Sequence, residues 1–244
     1  MYDTAGTANT VISIVFSAAQ LPVKLTGMQS LASKMWLPWL AMGLMIVVAA
    51  FVIGLFNSAT AADYFTASKE VREAAVRGSD LATDRAFIES TKVWLPAFKF
   101  LGIGMLLGGI TFLLATILGN LRTGGARVQE ALGAEVRVLK PPMTATLFPM
   151  LMMMGVMILV ASLVIAIVTS TLSYDYWNHS IATQLNPAEG SLLADLGTIN
   201  AITLWLAPFK FVGLPLLFTG IGLALATIVR VLRWQSQRLW ELLS

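Results

Sequence analysis

Residues 94–100, Trp-Leu-Pro-Ala-Phe-Lys-Phe, return 111 residues later as Trp-Leu-Ala-Pro-Phe-Lys-Phe at residues 205–211. Identical residues recur at this same offset, without a gap, as far as Leu132 and Leu243. A long run in a single register is typical of a structural unit that occurs twice in one chain. The sequence therefore predicts a tandem duplication.

The duplication extends to the apolar runs that precede these two segments, with an offset that is one residue larger. Met45-Ile46 matches Met157-Ile158, and Asp63-Tyr64 matches Asp175-Tyr176. We therefore divide the chain into four parts: an N-terminal interfacial segment, a first repeat, a basic linker and a second repeat. Their expected ranges are 1–33, 34–132, 133–144 and 145–244.

The composition predicts that lipid covers much of the protein. Hydrophobic residues make up 57% of the chain and charged residues 12%, and the mean hydropathy is +0.78. Soluble domains contain about 25% charged residues, roughly twice the fraction in this chain. The chain therefore has too few charged residues to cover a soluble surface. The net charge is +3, but the basic residues flank apolar runs. That placement indicates orientation in a bilayer and not binding to nucleic acid.

Four apolar runs are long enough to cross a bilayer, which needs about 20 residues of helix. They lie near residues 36–56, 93–118, 147–168 and 204–229. Each repeat contains two spans, so both repeats must enter the membrane in the same direction. The predicted fold is an all-α integral membrane protein with four transmembrane helices, arranged as a parallel tandem duplication of a helical hairpin. The repeats would be related by a pseudo-twofold axis along the membrane normal.

Short interfacial helices are expected outside the spans. The apolar stretch 11–23 is too short to cross the bilayer and lacks a basic start, so we expect an interfacial helix, or a helix packed along the bundle, and not a cleaved signal peptide. Residues 68–77 combine good helix formers with opposite charges at helical spacing. The tail 233–243 is amphipathic and is expected to lie on the cytoplasmic headgroups.

The charge pattern predicts that both termini face the cytoplasm of a bacterial inner membrane or one of that type. The loop after the third span contains acidic residues and no Lys or Arg, whereas the loop after the first span is mixed. Most basic residues precede the first span or follow the second and fourth spans. Because basic residues are retained on the cytoplasmic side, the two hairpin loops should lie outside.

Two lysines inside the spans are the candidate binding residues. Lys99 and Lys210 each lie between two phenylalanines and five residues after a tryptophan, Trp94 or Trp205. Such a lysine could hold a lipid headgroup, a quinone carbonyl or a partner's carboxylate, since a charge within the bilayer is often functional. Alternatively, the tryptophans mark the interface and the long lysine stems carry the charges to it.

Two further patterns concern packing and metal binding. Methionines four residues apart in the third span could bind Cu(I), although methionine is also a common filler of packing gaps. Small residues four apart would let helices approach closely in lipid. The methionines are Met150, Met153, Met154 and Met157; the small residues are Ala50, Gly54, Gly104, Gly108, Ser162 and Ala166.

The remaining motifs favour a non-catalytic protein without a cofactor. The chain has no cysteine and a single histidine, His179, which excludes disulfides, thiolate metal sites and sites that need two histidines from one chain. We expect a non-catalytic membrane subunit, or a self-assembling scaffold or accessory protein, in contact with lipids and with other membrane subunits or its own copies. The alternatives are an oligomeric channel or transporter for ions or small solutes, with Thr111, Thr116 and Thr227 lining the pore, or a Cu(I)-handling protein.

Overall fold

The structure, a computed structural model, describes residues 27–137, 142–186 and 192–243. Four long helices and two short ones account for most of these residues. In chain order they are α1 (Gly27–Thr66), α2 (Lys69–Glu73), α3 (Asp80–Ala131), α4 (Met143–Trp177), α5 (Ile181–Gln184) and α6 (Leu192–Leu243).

The four long helices, α1, α3, α4 and α6, are each long and apolar enough to cross a membrane. Lipid offers no hydrogen bonds to the backbone, so a spanning segment must satisfy its own amides and carbonyls, as a helix does. The described residues contain no strand. The predicted all-α class is therefore confirmed for the described residues, and four of their helices are able to span a membrane, as expected of a membrane-embedded protein.

The helices extend well beyond the apolar runs. Helix α1 begins at Gly27, inside the expected N-terminal segment, while the predicted interfacial helix 11–23 lies outside the described residues. Helix α3 starts at Asp80, so it includes part of the expected outer loop. Helix α6 runs to Leu243 without interruption. The C-terminal tail, expected to lie on the cytoplasmic headgroups, is thus a continuation of α6.

The chain forms two compact units, and each long helix contributes to both. One unit, here the loop unit, comprises Trp39–Gly108 and Met152–Phe218 and contains both hairpin loops. The other, here the linker unit, comprises Gly109–Leu151, the described residues up to Pro38 and those from Thr219 onward.

Within the loop unit, α1 and α3 cross at a pair of glycines. A Cβ atom added to Gly43 would lie 2.7 Å from the backbone nitrogen of Leu106 and 2.9 Å from the carbonyl oxygen of Gly102. A Cβ added to Gly102 would lie 3.2 Å from the carbonyl oxygen of Gly43. The two backbones touch here, as they do where small residues drive helix association in lipid.

Helices α4 and α6 cross in the same way. A Cβ atom added to Gly155 would lie 2.8 Å from the carbonyl oxygen of Gly213, and one added to Gly213 would lie 3.0 Å from that of Gly155. Gly155 follows Gly43 by 112 residues and Gly213 follows Gly102 by 111, which are the two offsets of the sequence repeat. The same backbone contact thus occurs once in each predicted repeat.

The linker unit has its own apolar core and polar contacts between its helices. The hydroxyls of Thr144 and Thr227 lie 2.8 Å apart. Gln235 of the C-terminal tail donates to the carbonyl oxygen of Leu121 at 2.6 Å, which fixes the end of α6 against α3. The Gln235–Leu121 hydrogen bond and the apolar core are both formed by uncharged groups. The buried core side chains are Leu118, Phe148, Ala224, Ile228 and Val231.

The two hairpin loops of the loop unit are joined by polar contacts. Arg77 forms an ion pair with Asp175 at 3.1 Å. The amide of Gly78 donates to Oδ1 of Asn178 at 3.2 Å. Gly78 has a φ of 77°, a conformation that side chains disfavour, and this turn brings its amide to the second loop. Helix α2 begins after Ser68, whose hydroxyl accepts from the amide of Val71.

Candidate functional site

The two lysines of the repeated motif lie in different environments. Lys99 on α3 is exposed, whereas Lys210 on α6 retains only 9% of its accessible surface. Within the described residues, no hydrogen bond or ion pair engages the Lys210 ammonium. The local sequence Phe-Lys-Phe is the same at both positions, so the difference arises from the neighbouring helices.

Aromatic contacts around the two lysines repeat closely. The rings of Trp94 and Phe98 meet edge to face with centroids 5.7 Å apart, and those of Trp205 and Phe209 do so at 5.6 Å. Phe100 and its counterpart Phe211 contact each other at 4.9 Å. These contacts hold the segments that precede and follow both lysines in matching conformations.

Lys210 lines a cavity of about 300 Å³ between α3, α4 and α6, hereafter the Lys210 cavity. Among the lining residues of α6, Ile199, Thr203, Leu206 and Lys210 follow one another along one face of the helix. This volume lies at the lower end of the range of small-molecule sites. The other lining residues are Glu89, Lys92 and Val93 of α3, Ser173 and Trp177 of α4, and Leu196 and Asn200 of α6.

The walls of the Lys210 cavity combine apolar surface with a few polar groups. Ser173 is almost fully buried, whereas Asn200 is exposed. Glu89 and Lys92 form an ion pair at 2.6 Å, so this carboxylate already has a cationic partner. Trp177 is itself held by the guanidinium of Arg85, 4.2 Å from its ring centroid. The cavity is therefore suited to an amphiphilic ligand with a negative charge.

The chain matches no protein-family profile, no curated protein and no solved structure. Function must therefore be argued from its own residues. Among the described residues, no group of three or more His, Cys, Asp or Glu side chains could hold a metal ion.

The four methionines considered for Cu(I) binding or for packing all lie on the exposed surface of α4. Their exposed fractions range from 43% to 67%. They therefore fill no gap inside the described fold, and face lipid or another chain. The four residues are Met150, Met153, Met154 and Met157.

The small residues predicted to lie at helix contacts are closely packed. Ala50, Ser162 and Ala166 are fully buried. A Cβ on Gly108 would lie 3.0 Å from the Trp39 ring, and one on Gly104 would collide with Leu159. Gly54 is looser, since its nearest contact is Leu95 at 3.8 Å.

Sequence reasoning did not select the glycines at the two closest crossings, nor the polar side chains of the Lys210 cavity. The glycines could have been found by applying both repeat offsets together, because Gly43 and Gly102 recur as Gly155 and Gly213. Thr203 could have been found seven residues before Lys210 on one helix face. Ser173 lies on another helix, and no local pattern relates it to the lysine.

Proposed function

We propose that this protein is a non-catalytic integral membrane subunit or self-assembling scaffold, with α1 as its main surface for other chains. The observation that carries the proposal is the exposure of α1. In its most apolar stretch of 18 residues, only 11% of the residues are buried, compared with 39% for the corresponding stretch of α3. On α1, Phe51 is 64% exposed and Phe56 is 67% exposed. Large aromatic side chains offer much contact area to a partner helix.

The predicted tandem duplication would supply the frame of such a scaffold. The matched crossings at Gly43/Gly102 and Gly155/Gly213, and the matched Trp–Phe contacts, are what two copies of one hairpin would produce. In this proposal the polar and small residues of the spans serve packing between helices. Thr111 and Thr227, considered above for a pore, are each 1% exposed within the chain.

The proposed orientation places both termini in the cytoplasm. Arg230 and Arg233 are exposed beside Trp234 in a groove of about 350 Å³ at the C-terminal end of α6. Arginine and tryptophan at the end of a span are suited to lipid headgroups. The basic linker belongs to the same unit, although residues 138–141 lie outside the described residues.

A photo-crosslinking amino acid placed at Phe51 tests the scaffold proposal in native membranes. We expect this position to crosslink to protein, either a second copy or another membrane chain. The same amino acid at Ala50, which is fully buried inside the chain, is the matched control and should give no intermolecular product. Crosslinks from residue 51 to lipid alone, together with a single-chain mass in mild detergent, would reject the proposal.

A further inference from the structure

Lys210 is a largely buried lysine whose ammonium has no hydrogen-bond or ion-pair partner among the described residues. The residue as a whole is 9% exposed, and Glu89, the acidic residue that lines the same cavity, is paired with Lys92. A charge removed from water is costly unless a counter-charge or hydrogen-bonding groups replace the lost hydration. Lys210 is far less exposed than Lys99, and its side chain lines an open-sided cavity between α3, α4 and α6.

The charges of the Lys210 cavity leave one positive charge unbalanced. The negative charge of Glu89 balances the positive charge of Lys92, so the positive charge of Lys210 remains unbalanced. The residues that correspond to Glu89 and Lys92 in the second repeat are Asn200 and Thr203, which are uncharged and line the same cavity. The second repeat thus places its lysine beside hydroxyl and amide groups and supplies no carboxylate of its own there.

We propose that the Lys210 cavity binds one phosphate group, either as the headgroup of an acidic phospholipid or as a free anion. Lys210 supplies the counter-charge. The hydroxyl of Ser173 and the amide of Asn200 are the available neutral donors. Val93, Leu196 and Ile199 form apolar walls that suit the glycerol and upper chains of a lipid. Lys99, which is exposed, has no part in this site.

This inference goes beyond the scaffold role, because it concerns a ligand of the single chain. A chain that forms no crosslink to another protein could still bind the anion, and a scaffold could lack this site. The two proposals therefore fail separately.

The first test measures ligand binding by the unmodified full chain in an uncharged detergent. Thermal unfolding is followed during titration with dioleoyl phosphatidylglycerol, with dioleoylglycerol, which lacks the phosphate, and with inorganic phosphate. A rise in the melting temperature with the phospholipid alone identifies a lipid site. A rise with inorganic phosphate identifies a site for the phosphate group itself. No rise with either, or an equal rise with dioleoylglycerol, overturns the proposal.

The second test uses the duplicated lysine as a matched control. Lys210→Met should weaken binding of the stabilising anion about tenfold, as expected for loss of one charge-assisted contact. Lys99→Met makes the same substitution in the same local sequence and should leave binding unchanged. An equal loss in both variants, or no loss in Lys210→Met, contradicts the assignment.

A third variant tests anion binding in the Lys210 cavity if Lys210→Met does not fold. Glu89→Gln removes the carboxylate from the cavity and releases Lys92 from its ion pair, so a bound anion would meet two cations in place of one. We expect this variant to bind the anion several-fold more tightly. Unchanged or weaker binding would overturn the proposal.

Discussion

Lys99 and Lys210 show how one residue type in one local sequence acquires two environments. Both are flanked by phenylalanine and follow a tryptophan in matching edge-to-face contact. Their helices nevertheless present them differently: Lys99 is exposed and Lys210 lines a cavity. A helix fixes the direction of each side chain relative to its own axis, but neighbouring helices determine what that side chain meets.

At the residue scale, the close crossing of α4 and α6 yields a first prediction. Gly213→Ala should destabilise the protein by about 1–3 kcal/mol, the usual cost of inserting a methyl group into a packed interface. The added Cβ would lie 2.8 Å from Leu159 and 3.0 Å from a backbone carbonyl oxygen, which cannot move away by a change of rotamer. Thermal or denaturant unfolding in detergent measures the effect.

The control for this prediction is Gly222→Ala on the same helix. Gly222 is exposed, and an added Cβ would meet nothing within 4 Å. Its replacement should leave the unfolding midpoint unchanged or raise it slightly, because alanine favours the helix over glycine. Equal destabilisation by both variants would contradict the close crossing of α4 and α6.

At the element scale, the end of α3 is joined to the following chain by one buried side chain. Gln129 is 3% exposed and donates to the carbonyl oxygens of Gly125 and Arg137, at 3.3 and 3.1 Å. The amide of Arg137 donates back to Oε1 of Gln129 at 2.9 Å. These bonds fix the first residues after the helix, where Gly133 adopts a φ of 67°.

We expect Gln129→Leu to release this segment from α3. Each hydrogen bond contributes about 1 kcal/mol, so the Arg137 amide should exchange its hydrogen about tenfold faster or more. Hydrogen exchange followed by mass spectrometry measures this. Gln237→Leu, the same substitution at an exposed position of α6, should leave exchange at Arg137 unchanged. Unaltered protection in Gln129→Leu would show that other contacts hold the segment.

At the scale of the whole molecule, the proposed orientation can be tested by labelling. The chain contains no cysteine, so single cysteines introduced at Ala182 and Ser236 report without interference. Both positions are exposed, one within α5 in the second hairpin loop and the other near the end of α6. A membrane-impermeant reagent added to intact cells should label Ala182→Cys and spare Ser236→Cys. The opposite pattern would reverse the proposed orientation.

The predicted duplication also has a consequence for the whole molecule. In a structure determined by cryo-electron microscopy in lipid, α1 and α3 should superpose on α4 and α6 with Gly43 on Gly155 and Gly102 on Gly213. The reason is that both crossings need close backbone contact at glycine, and the offsets of 112 and 111 preserve that contact in each pair. An inverted relation between the pairs, or a best superposition in another register, would contradict a parallel duplication.

The sequence by itself determined that the chain is helical, has four helices long and apolar enough to cross a membrane and repeats one segment at a fixed offset. These properties follow from composition and periodicity, because lipid requires helices and about 20 apolar residues for each span. It did not determine the ends of the helices. Polar residues at 80–92 and 233–243 continue α3 and α6, since tertiary contacts such as Gln235 to Leu121 override weak local preferences.

Only the tertiary structure distinguished Lys210 from Lys99 and placed Ser173 and Glu89 beside it. These residues come from three helices separated by long stretches of chain, and helical periodicity carries no information about contacts between helices. The structure also selected the glycines at the crossings from the 19 glycines of the chain, because the cost of a Cβ depends on the distance to another backbone.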